Sequence, residues 1–178
     1  MRTFRRVDTA SPAVADAARL SDSFAQVRSA DYTTRYIRVG AGQPVVIVDV
    51  AMDATALWPE LVSRLADAGR VILPEVQGGS DRFSAWLRSF LDGMGLPPVT
   101  LVATSELCLS ALEFALLEPE RVKRLILVPA GRAEETGLTS VVTPSTGVSS
   151  VSMLVVRRDC PPGEAIPLIE RFLRGEMP

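Results

Sequence analysis

The chain has 178 residues, 47% of them hydrophobic and 22% charged, which fits one well-packed globular domain and excludes a disordered chain. Its formal charge of −2 excludes a basic field that would recruit nucleic acid or an anionic membrane surface. No histidine is present, so the usual general base of hydrolytic chemistry is missing.

Along the chain, "SPAVADAARLSDSFAQVRS" starts with Ser11 as a candidate N-cap and Pro12 at a first helical position, so an N-terminal helix is expected within an extension over residues 1–30. Residues 31–178 are expected to form a single domain. Tyr32 to Val39 has strand composition, and "GAGQ" turns it into "PVVIVDV", a β-branched run suited to a strand covered on both faces. A helix over Trp58 to Ala68 and the strand "RVILP" follow. Phe83, Trp86, Leu87, Phe90 and Leu91 then recur at helical spacing between Arg82 and Met94, and "GLPP" stops that helix. The strand "VTLVA", a helix from Ser105 to Leu117 and the strand "VKRLILVP" come next. A stretch rich in Gly, Ser and Thr separates these from the strand "VSMLVV" and a last helix near Glu164 to Leu173. This alternation predicts an α/β domain, with a mostly parallel sheet of about six strands and helices on both faces.

The order of "YIRVGAGQPVVIVDVAMDATALWPELVSRLADAGRVILPEVQGGSDR" and "SAWLRSFLDGMGLPPVTLVATSELCLSALEFALLEPERVKRLILVPA" resembles the α/β-hydrolase fold over roughly residues 33–175. The resemblance implies a truncated, capless member with degenerate catalytic positions. The family's Gly-x-Ser-x-Gly elbow is matched by Ala103, Thr104, Ser105, Glu106 and Leu107, so only the serine is kept. The His-Gly of the oxyanion loop is matched by Asp49 and Val50. Asp159 stands near the position of the catalytic acid, and the final strand with its histidine loop has no counterpart. The fold implied by the resemblance would bring Asp49, Glu75 and Ser105 to one crevice, with Asp53 and Glu106 nearby.

Serine needs an adjacent base, and here the candidates are carboxylates, two cysteines and Lys123, the one lysine of the chain. Lys123 begins a strand at the end opposite the elbow. An acidic crevice would also repel an oxyanion. Ser105 equally suits an N-cap, Glu106 a favourable charge at a helix start, Asp49 a turn, and Glu75 a loop brace. Cys108 and Cys160 have no metal or redox spacing and are expected to be reduced thiols, Cys108 as a small core residue. No cofactor or metal is expected.

The leading expectation is therefore a hydrolase-like pseudoenzyme binding a small molecule or a protein partner. The alternative is a divergent serine hydrolase using Ser105 with a carboxylate base. The N-terminal sequence has no apolar core like a signal peptide's and no run of spanning length occurs, so no membrane association and a cytoplasmic location are expected. The excess of arginine over lysine suggests a bacterial source. A homodimer through the strand edge at Val151 to Val156 and the terminal helix is also expected, since a strand of the resembling fold has no room to form there.

Overall fold

In the computed structural model, residues 24–29, 32–49, 58–79, 81–104, 106–129, 151–156, 160 and 162–176 are described. They form β1 (Ala25–Ser29), β2 (Tyr32–Val39), β3 (Pro44–Val48), α1 (Trp58–Ala68), β4 (Arg70–Pro74), α2 (Phe83–Gly93), β5 (Val99–Thr104), α3 (Leu107–Leu117), β6 (Val122–Val128), β7 (Ser152–Val155) and α4 (Pro162–Arg174). The strands make one sheet in the order β1-β2-β4-β3-β5-β6-β7. Strands β3 to β7 pair in parallel, whereas β1–β2 and β2–β4 pair antiparallel.

The sheet has seven strands where about six were expected. The addition is β1, at the end of the stretch read as an N-terminal helix. The start of that stretch, residues 11–23, lies outside the described residues. Every residue of β3 and β5 is buried, as parallel strands covered on both faces require.

The helices cover both faces. Val46, Val48, Leu101 and Ala103 pack toward α2 and α3, against Trp86, Leu87, Phe90, Ala111 and Phe114. Val45, Ile47, Val102 and Ile126 pack on the other face with Leu61 and Leu65 of α1 and Ile166 and Ile169 of α4. Right-handed crossovers account for this division. The chain moves one way along the sheet from β3 to β4 through α1, and the other way from β4 to β5 and β6 through α2 and α3. Helix α2 ends where Gly95 takes φ +59°, and the Leu96 amide donates back to the Leu91 carbonyl at 3.1 Å.

The reversal of direction falls between β3 and β5. Val45–Val48 lies between β4 on one side and β5 on the other. A crevice at the carboxyl ends of strands at such a reversal is where open α/β sheets bind ligands.

Candidate functional site

Asp49 directly follows β3, and Glu75 directly follows β4, so both stand at the carboxyl edge of the parallel strands. Val48 pairs with Ala103, and the same register carried one step further sets Asp49 beside Thr104, the last residue of β5. Asp49 is 8% exposed, a buried carboxylate at the end of an otherwise apolar strand. The two acidic residues differ in surroundings. Glu75 is about half exposed; its amide donates to the Arg35 carbonyl at 2.8 Å and its carboxylate lies 3.8 Å from Arg35 Nη1. Its carboxylate therefore leans toward β2, away from Asp49 and β3.

The strand-to-helix turn after β5 runs from Thr104 to Leu107. Ser105 lies outside the described residues, as do Val50, Asp53 and Asp159. Glu106 is the N-cap of α3, exposed, in the helical region at φ −68°, and its side chain makes no capping hydrogen bond. Leu107 is buried in the core under α2 and α3. Thr104 is 3% exposed, and its Oγ1 has no hydrogen-bond partner among the described residues. A buried hydroxyl without a partner is uncommon. Nothing in the sequence marks it, because a threonine at the end of a strand reads as an ordinary β-former.

Cys108 sits in the first turn of α3 with its thiol turned into the core. The thiol donates to the Ala103 carbonyl at 3.5 Å. Burial pushes it from an ordinary 9.0 up to about 11; the Val128 backbone pulls it partly back, and the charge of Asp49 adds to the rise. It is therefore a protonated core thiol, not a thiolate nucleophile. Its link to Asp49 joins residues 59 positions apart (108 minus 49), and no spacing in the sequence announces it.

Comparison with solved structures decides the fold. A haloalkane dehalogenase from Agrobacterium tumefaciens superposes with a TM-score of 0.52 at 20% identity, covering 62% of this chain and 42% of that one. Naproxen esterase (carboxylesterase NP) from Bacillus subtilis gives 0.54 at 19% identity, covering 62% and 44%. The chain has the α/β-hydrolase fold. No protein-family model matches it. A 2-hydroxy-6-oxo-2,4-heptadienoate hydrolase of Pseudomonas putida is 35% identical over 107 residues, covering 52% of this chain and 39% of that protein. The chain thus spans about two fifths of the length of these proteins.

Within the α/β-hydrolase fold the turn after β5 is the place of the nucleophile elbow, where small residues let strand and helix approach closely. Here the second of those places is filled by the buried Leu107. Lys123, exposed near the start of β6, is at the opposite edge of the parallel strands and cannot serve this turn. Among the described residues no group of three His, Cys, Asp or Glu side chains could hold a metal ion. No helix among them is long and apolar enough to cross a membrane.

Proposed function

We propose that this chain uses the carboxyl edge of an α/β-hydrolase sheet to bind a small molecule or a protein partner, without acyl-transfer chemistry. The observation that carries this reading is Asp49, a buried carboxylate at the end of β3, where an oxyanion hole would need hydrogen-bond donors. A carboxylate at that position accepts hydrogen bonds and does not supply the donors that a developing oxyanion needs. The remaining features agree with it: a chain without histidine, a cysteine held protonated, and a leucine in the elbow. A cytoplasmic location and a bacterial source, expected from the sequence, belong to the same proposal.

A second reading keeps Ser105 as a nucleophile and gives a carboxylate the role of base. The register that sets Asp49 beside Thr104, one residue before the serine, favours it. A fluorophosphonate probe separates the two. The first reading expects no covalent adduct by intact-mass analysis after prolonged incubation. An adduct on the wild-type chain that disappears in Ser105→Ala would establish the second reading.

A further inference from the structure

The two ends of the sheet are unlike. β1, at one end, is largely exposed and carries Gln26 and Arg28, the polar and charged kind of edge that resists pairing with another chain. β7, at the other end, consists of Ser152, Met153, Leu154 and Val155 and has no charge. The Val156 amide donates to the Leu127 carbonyl at 2.8 Å, toward β6. Alternation along a parallel strand then directs the amides and carbonyls of Ser152 and Leu154 toward β6 as well, and those of Met153 and Val155 outward. Among the described residues no strand pairs with that outer side. The side chains around it are apolar: Met153 and Val155 are half-buried on the face of α2 and α3, and Leu154 is buried on the other face with Leu168 of α4 half-buried against the same cluster.

We propose that the outer edge of β7 pairs antiparallel with the same edge of a second copy of this chain, Met153 opposite the partner's Val155 and Leu154 on the two-fold axis. Three observations select this occupant. The outward-directed residues are two apart, so this register matches Met153 with the partner's Val155 and the reverse, each pair exchanging two backbone hydrogen bonds. A strand that pairs with itself brings like residues together near the axis. β7 has no charge to oppose itself there, whereas self-pairing of β1 would bring two copies of Arg28 close. Finally, pairing β7 with the β1 edge of another copy would be head-to-tail and would leave free edges unless its rotation closed a ring; the symmetric arrangement closes after two. On one face Leu154 shares a core cluster with Ile166 and Ile169 of the terminal helix α4, which fixes β7 in place.

Sedimentation equilibrium and amide hydrogen exchange on the full chain test this. The expected mass is twice the 19.2 kDa of one chain. The amides of Met153 and Val155 should slow by about tenfold or more between dilute and concentrated protein, because pairing removes their open state from solvent. Met153→Pro deletes an outward amide and leaves the β6–β7 hydrogen bonds in place, so a folded monomer is expected. A monomer at every concentration overturns the proposal. So does a dimer in which these two amides exchange as fast as in dilute protein. Slow exchange of both amides in a monomer would also overturn it, because the edge would then be covered within a single chain. Should Met153→Pro fail to fold, the wild-type exchange rates still decide.

Discussion

Trp86 is fully buried between Phe83 and Phe90, and its indole N–H donates to the Thr34 hydroxyl at 3.0 Å. Removing one partner strands the other, so Thr34→Val should lower stability by about 1–3 kcal/mol in urea denaturation. Trp86→Phe combined with Thr34→Val should lower it by less than the sum of the two single changes. Cys108 makes stability depend on pH. Its thiol is held protonated to about 11 in the fold and ionises at 9.0 when ordinarily solvated. The unfolded chain therefore loses its proton first as pH rises. The stabilisation is fully present below pH 9.0 and is lost as pH climbs toward 11, on the order of 2–3 kcal/mol in all. Cys108→Ala should flatten that fall in a series of denaturation curves from pH 8 to 11; an unchanged slope would show that other groups cause it. At this scale the sequence was partly legible. The spacing of Phe83, Trp86, Leu87, Phe90 and Leu91 identified a buried helical face, but Thr34 is 52 residues from Trp86 and only folding joins them. Likewise Asp49 was expected at the carboxyl edge, while its burial and its influence on Cys108 depend on packing that no local pattern records.

Strand β1 leaves little trace in the sequence. "AQVRS" is mostly exposed and lacks the apolar run that made β3 and β5 plain, so nothing local distinguishes it from the end of a polar helix. It is held by its antiparallel ladder with β2 and by tertiary contacts with the end of α2. The Ser89 hydroxyl donates to the Ser29 carbonyl at 2.9 Å. Gly93 is so close that an added Cβ would stand 2.6 Å from Ser29 Cβ and 3.0 Å from Val27 Cγ2. Gly93→Val should therefore push β1 off the sheet. Amide exchange at Gln26 to Arg28 should accelerate at least about tenfold, while the amides of β3 and β5 keep their protection, because an edge strand can open below the global unfolding energy. Equal acceleration in all these strands would mean that β1 is part of the central cooperative unit. Elements with complete burial were legible, and so was the helix-strand alternation; an exposed edge element held by pairing with β2 and a few side-chain contacts was not.

The strand order of the whole molecule came from resemblance, since spacing alone gives the elements but not the reversal between β3 and β5. Which helix surfaces stay open was not legible either. Helix α3, "LCLSALEFALL", is apolar nearly all round, a pattern normally reserved for helices covered on every side. Yet Leu109 and Leu116 are 54% and 55% exposed, seven residues apart and thus on one stripe, with Leu112 half-buried between them. This surface acts together with the overall charge. With a formal charge of −2 and a pI near 5.3, little electrostatic repulsion keeps copies apart in mildly acidic solution, so exposed leucines should govern solubility there. The double substitution Leu109→Gln with Leu116→Gln changes no charge and keeps good helix formers. It should leave the solubility minimum near pH 5.3 and raise solubility at that minimum several-fold, as read from saturation concentrations across a pH series. Because both side chains are solvent-facing, the urea midpoint should correspond to a change within about 0.5 kcal/mol of the parent. A much larger loss of stability would mean that the two leucines are covered in solution and that the stripe is an extension of the core.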